Sequence, residues 1–180
     1  MPTVEPAPRE EQSRYQVRFD WGLAGLDRVA PAEITIVVDV LASGTDAELL
    51  ASRAADRGAV VIRADLRTAS AAADAAVAEQ HRRAARTSIA VIAVGQTDAS
   101  SGALRFAVED LFGAGAVIDA LAARGIDHSS PEAAAACEAF RGLRPALRHL
   151  LTASVTGQCW LEEGRRDAVL AAAEVDAARG

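Results

Sequence analysis

The sequence contains no lysine and no asparagine, so each of its 19 strongly basic residues is an arginine. Its 25 acidic residues give a net charge of −6, and aromatic residues make up only 4% of the chain. A nucleic-acid-binding surface normally has a basic footprint and aromatic side chains that stack on bases. The composition has neither feature and therefore argues against nucleic acid as a partner.

Long apolar runs and a cysteine framework are also missing. No apolar stretch approaches the roughly 20 residues that a membrane-spanning helix needs, so no membrane partner is expected. Residues 1–13 are rich in proline and glutamate, without a basic region followed by an apolar one, and are predicted to be a flexible leader rather than a secretory signal. Cys137 and Cys159 lie far apart without metal-ligand spacing. This is typical of two reduced core thiols in a cytoplasmic protein.

Apolar residues are abundant, at 51% of the chain, and they form short continuous runs typical of strands and longer segments with helical spacing. Short runs rich in β-branched residues begin at Ile34, Ala59 and Ser88, and helical patterns cover residues 46–57 and 68–86. Strands and helices at this spacing form βαβ units with parallel strands. The sequence therefore predicts a single α/β domain over residues 14–180 whose C-terminal third is helical.

Asp39 stands at the carboxyl end of the apolar run that begins at Ile34. Ligands of open α/β sheets bind just beyond the carboxyl ends of strands. A charged group at such a place is costly unless it is solvated, paired or bound to a metal. Asp39 is therefore a candidate for chemistry, and the alternative is that it caps the next turn or pairs with an arginine.

A second acidic position lies at Glu109 and Asp110, near the start of the helix predicted over residues 104–125. The helix dipole favours carboxylates there, which is one interpretation. The other is a hard-cation site, because Mg²⁺ is bound through one or two carboxylates together with waters and phosphate oxygens. Adjacent helical side chains diverge by about 100°, so one of the pair is expected to bind directly. Gly113 and Gly115 either pack closely against the sheet or leave room for a ligand.

Four blocks of sequence, in a fixed order, carry a resemblance to a known family. They are Phe19-Asp20-Trp21-Gly22 with Gly25-Leu26, Ile36-Val37-Val38-Asp39-Val40-Leu41, Val108-Glu109-Asp110-Leu111 with Gly113-Ala114-Gly115, and residues 157–176 with Leu161, Gly164, Asp167 and Asp176. In these blocks the chain resembles the 2-phosphosulfolactate phosphatase family, Mg²⁺-dependent acid phosphatases associated with coenzyme M synthesis. The third block is the most specific, and together the four cover most of the chain outside residues 63–87.

The resemblance implies a fold, a reaction and a set of residues. The fold would be α/β/α layers around a mixed, mostly parallel sheet. The reaction would be the Mg²⁺-dependent hydrolysis of a phosphoester, and the small-molecule partner would be a small acidic phosphoester. Asp39 would act as nucleophile, general base or metal ligand. The expected metal ligands are Glu109 and Asp110, and the expected substrate-binding residues are Ser43, Gly44, Thr45, Gly113 and Gly115.

The chain departs from the family pattern in two places. Ala42 stands where the family signature often has an arginine, which is a natural partner for phosphate or sulfonate. The family's Asn-Gly segment is missing, and the region between Ile62 and Ser88 is short. These departures motivate a second hypothesis, a catalytically degenerate relative that acts as a binding or interaction protein.

A third hypothesis is an unrelated acid-loop phosphotransferase or a receiver-like domain. It would need a second aspartate at the position of Leu41, or an acidic pair on an earlier strand, of which Asp20 with Asp39 is only a weak version. The sequence leaves the oligomeric state open, and a homo-oligomer is compatible with it.

Overall fold

The computed structural model describes residues 11–42, 44, 46–98 and 100–178. Its regular elements, in chain order, are β1 (Val17–Trp21), α1 (Gly22–Arg28), β2 (Ile34–Val38), α2 (Asp46–Asp56), β3 (Val60–Ala64), α3 (Ala69–Arg83), β4 (Ile89–Ala93), β5 (Gln96–Thr97), β6 (Leu104–Arg105), α4 (Val108–Ala122), α5 (Pro131–Leu143), α6 (Leu147–Ala153), α7 (Val155–Glu162) and α8 (Arg166–Ala172). Short 3₁₀ turns at Leu66–Thr68 and Arg144–Ala146 precede α3 and α6.

Four strands form a parallel sheet in the order β1-β4-β2-β3. All residues of the two central strands, β2 and β4, are buried. Strands covered on both faces need apolar side chains on both, which is why these two segments read as continuous apolar runs. A separate antiparallel ribbon pairs Gln96 with Arg105 and Thr97 with Leu104. The predicted α/β fold with a mostly parallel sheet is confirmed.

Helices cover both faces of the sheet. On one face, Leu26 of α1 and Leu50 of α2 pack against Val37 and Ile92. On the other face, α3, α4 and α5 cover the side chains of alternate strand residues such as Ile36. The last three helices, α6 to α8, pack beside α4 and extend this second layer, so the C-terminal third is helical as predicted.

The helix predicted from Leu104 begins instead at Val108, because Leu104 and Arg105 belong to the ribbon. The ribbon's turn is held by Asp98, whose carboxylate accepts hydrogen bonds from the backbone N–H groups of the next two serines. Local hydrogen bonds of this kind compete with helix formation. The Leu104 side chain lies directly over Gly95, at the end of β4.

Both ends of the described chain contact the domain. Residues 1–10 of the predicted leader lie outside the described residues. Gln12, also in that predicted leader, exchanges two hydrogen bonds of 2.9 Å with the backbone of Phe19 in β1. Near the C-terminus, the Asp176 carboxylate accepts hydrogen bonds from the N–H and hydroxyl of Ser70, at 2.8 and 2.7 Å.

Two further sequence expectations concern membranes and thiols. Within the described ranges, no helix combines the length and apolarity needed to cross a membrane. Cys137 and Cys159 are both free thiols, but only Cys137 is buried. The prediction of two core thiols is therefore wrong for Cys159, which lies on the exposed side of α7.

Candidate functional site

The strand order creates a topological switch between β2 and β4. The chain leaves β2 towards α2 on one face of the sheet and leaves β4, through the ribbon, towards α4 on the other. A crevice opens where connections diverge in this way, and it is the usual ligand site of open α/β sheets. Asp39 follows β2 at this point, and Gly95 follows β4.

Asp110 joins the two strand ends beneath the crevice. Its Oδ1 accepts a hydrogen bond from the N–H of Val40 at 2.8 Å, and its Oδ2 accepts one from the N–H of Gly95 at 2.9 Å. Burial and the neighbouring charges of Asp39 and Glu109 raise the pKa of Asp110 well above its ordinary value, although the two backbone amides act in the opposite direction. Asp110, expected as a metal ligand, therefore connects the segments that follow β2 and β4.

Glu109, the other expected metal ligand, is 2% exposed at the start of α4. Its charge raises the pKa of both Asp39 and Asp110, so the three carboxylates lie within electrostatic reach of one another. In the part of the chain that the structure describes, no three histidine, cysteine, aspartate or glutamate side chains converge as a metal-binding group. The three acids therefore influence one another electrostatically without forming a three-ligand metal group among the described residues.

Asp39 is half-buried at the mouth of the crevice. Burial, followed by the charges of Glu48, Asp46 and Glu109, raises its pKa to about 6, while Arg63 acts to lower it. Arg63 itself is paired with Glu48, at an N–O distance of 2.6 Å. A half-buried carboxyl with a pKa near neutrality is typical of a functional position.

Two clefts meet at Asp39. The first, of about 360 Å³, lies between the ends of β2 and β3, and its polar lining residues are Asp39, Glu48, Arg63, Asp65 and Thr68. The second, of about 270 Å³, lies between the ends of β2 and β4, and its polar lining residues are Asp39, Asp46, Gln96 and Thr97. Gly44, one of the predicted substrate-binding residues, lines both clefts. Its predicted companions Ser43 and Thr45 lie outside the described residues.

Gly113 and Gly115 serve close packing. A Cβ atom added to Gly113 would lie 2.6 Å from Cγ2 of Val40, and one added to Gly115 would lie 2.2 Å from the carbonyl oxygen of Ala136 in α5. Both glycines are buried, and neither lines either cleft at Asp39. The sequence left two interpretations of these glycines, close packing or space for a ligand. Their positions in the structure agree with close packing.

Gly115→Ala is expected to lower the free energy of unfolding by about 2 kcal/mol, because α4 and α5 must move apart to admit the methyl group. Gly142→Ala is the matched control, since Gly142 lies in α5 with open space around its Cα. That control is expected to stabilise the protein by about 0.5 kcal/mol through helix propensity. Urea unfolding measures both, and a Gly115→Ala variant as stable as the wild type would contradict the packing role.

The raised pKa of Asp39 predicts how stability depends on pH. A carboxyl whose pKa is higher in the folded chain holds its proton more tightly when folded, so its contribution is complete below about pH 4 and is lost as pH rises through about 6. Between these pH values, the free energy of unfolding is expected to fall by about 1–2 kcal/mol, after allowance for solvent screening. Melting temperatures from pH 4 to 8 in EDTA, compared between the wild type and Asp39→Asn, isolate this contribution. If the melting temperatures of the two proteins changed with pH in parallel, this contribution of Asp39 would be contradicted.

Sequence reasoning missed the residues that β3 brings to the site. Arg63, Asp65 and Thr68 fall in the segment that the family resemblance does not cover. Asp65 and Thr68 exchange hydrogen bonds of 2.9 Å between side chain and backbone at the turn after β3. The available signal was an Asp-x-x-Thr turn directly after an apolar strand, which is a capping pattern.

A scan against models of known protein families and a search of curated proteins both found no match to this chain. Its function is therefore inferred from the site.

Proposed function

We propose that the protein is a Mg²⁺-dependent phosphomonoester hydrolase that releases phosphate from a small acidic phosphoester, as 2-phosphosulfolactate phosphatases do. The observation that carries the proposal is the position of Asp39, a half-buried carboxyl with a pKa of about 6, where two clefts meet at the switch point of the sheet. A carboxyl with this pKa is suited to proton transfer near neutral pH. The proposed setting is the cytoplasm, in which both thiols stay reduced.

The charge distribution around Asp39 fits a divalent cation. Asp46, Glu48 and Glu109 all raise the pKa of Asp39, so the crevice carries more negative charge than Arg63 offsets. Mg²⁺ needs only one or two protein carboxylates, with water and phosphate oxygens as its other ligands, so a three-carboxylate group is not required.

Asp39, which lines both clefts, would hold the ion, and Glu109, which is buried and lines neither cleft, would add negative charge nearby. The oxygens of Asp110 already accept hydrogen bonds from two backbone amides. When bound, Mg²⁺ neutralises phosphate oxygens and favours ionisation of water.

The chain's own residues have distinct parts in this proposal. Asp39 is proposed as a metal ligand, and nucleophile and general base are the alternative roles of its carboxylate. Gly44 has no side chain and lines both clefts, so a phosphate group can approach the backbone closely there. Gln96 and Thr97 offer polar side chains on the β4 side of the crevice.

The alternative is a degenerate relative that binds a ligand without turnover. Two observations favour it. Asp110 uses both carboxylate oxygens to connect the segments after β2 and β4, and Ala42, where the family often has an arginine, lines the cleft without a side chain that can bind an anion.

Titration calorimetry with Mg²⁺ separates the two functions. The hydrolase predicts stoichiometric Mg²⁺ binding that Asp39→Asn abolishes, whereas the degenerate relative predicts no binding by either protein. Asp56→Asn is the matched control, because Asp56 is exposed at the end of α2 that lies away from the crevice, and it should bind Mg²⁺ as the wild type does. Equal Mg²⁺ binding by the wild type and Asp39→Asn would contradict the proposed site.

A further inference from the structure

We infer that Arg63 binds an oxyanion of the ligand in the cleft beside Asp39. This inference rests on the proposed function, from which it takes the identity of the site.

The position of Arg63 follows from the register of the sheet. Arg63 pairs with Val37 on the neighbouring strand β2, two residues before Asp39. Side chains two residues apart on a strand point to the same face, so Arg63 and Asp39 lie on the same side of adjacent strands. Both line the cleft of about 360 Å³ at the carboxyl ends of β2 and β3.

The guanidinium of Arg63 is accessible to a ligand. Its side chain is 53% exposed, and its Nη1 donates a hydrogen bond of 2.6 Å to Glu48, whose side chain is 60% exposed. Exposed ion pairs of this kind stabilise a protein little, so a ligand can displace Glu48 at small cost. The planar guanidinium has five N–H donors arranged to bind two oxygens of a phosphate or carboxylate at once.

The other charged side chains of this cleft cannot bind an oxyanion. Asp39, Glu48 and Asp65 are all acidic, and Arg63 is the basic residue among those described that line the cleft. Asp65 is occupied at the turn after β3, where its Oδ1 accepts hydrogen bonds from the N–H and the hydroxyl of Thr68. Besides the proposed Mg²⁺, Arg63 is therefore the counter-charge for an acidic ligand among the described residues that line this cleft.

The first test measures binding of inorganic phosphate by calorimetry, with Mg²⁺ present. Arg63→Gln should weaken binding by about tenfold or more, as expected for a lost charged hydrogen bond. Glu48→Gln should tighten binding severalfold because it releases Arg63, and this gain should shrink in the double variant that also carries Arg63→Gln. Arg53→Gln is the matched control, since Arg53 is equally exposed, at 53%, and paired with Asp27 away from the cleft.

The second test identifies which oxyanion Arg63 binds. Phosphate release is measured from phenyl phosphate, which has one anionic group, and from 2-phosphoglycolate, which has two. If Arg63 binds the phosphoryl group, Arg63→Gln raises the KM for both, and if it binds the second acidic group, only the KM for 2-phosphoglycolate rises.

Failure of the inference differs from failure of the proposed function. Phosphate binding and KM values that are the same in Arg63→Gln and Arg53→Gln would overturn the inference, even if phosphate is released. An absence of phosphate binding by the wild type would overturn it as well. Phosphate binding that depends on Arg63, without release from any phosphoester, would support the inference and contradict the hydrolase.

Discussion

Asp39→Asn is expected to lower the rate of phosphate release by about 1000-fold, a loss typical of removing a group that moves a proton or attacks the substrate. The same variant should be more stable than the wild type at pH 7.5, by about 1–2 kcal/mol. The gain arises because asparagine has nearly the same shape but no charge to bury beside Asp46, Glu48 and Glu109. Opposite changes in activity and stability are a mark of functional positions.

The two changes are measured on one preparation, by phosphate release and by urea unfolding in EDTA. Asp56→Asn again serves as the control, because its exposed carboxylate should influence neither quantity. If Asp39→Asn kept wild-type activity, the proposed role of Asp39 in the mechanism would be contradicted. A variant that loses both activity and stability would instead indicate a structural part for this side chain.

Asp110→Ala is expected to lower the free energy of unfolding by about 3–4 kcal/mol, because it leaves the N–H groups of Val40 and Gly95 without an acceptor at a buried position. Asp110→Asn keeps one acceptor oxygen and should lose about half as much. The ends of β2 and β4 should separate in both variants, so activity is expected to fall with stability.

Glu109→Gln is the informative comparison, since Glu109 is the adjacent residue and equally buried, at 2% exposure. Removing its charge relieves repulsion of Asp39 and Asp110, so stability should be maintained while Mg²⁺ affinity falls. Urea unfolding and Mg²⁺ calorimetry separate the two acids. A Glu109→Gln variant as destabilised as Asp110→Ala would contradict the different roles assigned to them.

The sequence predicted the main strands of the sheet, most of the helices and the position of Asp39 at the end of one strand. The apolar runs of β2 and β4 follow from burial on both faces, and the place of Asp39 at the end of β2 was readable from that run. The strand order was not readable, because short apolar strands do not specify their neighbours. The ribbon of β5 and β6 was missed because the turn at Asp98 depends on local side-chain hydrogen bonds.

The environment of each site residue depends on contacts between distant parts of the chain. Asp110 binds Val40, 70 residues before it, and nothing in the local sequence separates this role from a metal ligand or a helix-dipole acid. Arg63 became a site residue only through the pairing of β2 with β3. Gly115 could be interpreted as space for a ligand until the position of α5 filled that space.

The central claim, a Mg²⁺-dependent phosphoester-hydrolysing site at Asp39, is tested most directly by phosphate release from a panel of small phosphoesters. The wild type is assayed with Mg²⁺, with EDTA, and with Mg²⁺ restored in excess over EDTA, and Asp39→Asn is assayed beside it. We expect release from at least one acidic phosphoester that EDTA stops, that Mg²⁺ restores and that Asp39→Asn abolishes. Release that is independent of both Mg²⁺ and Asp39, or no release from any member of the panel, would contradict the claim.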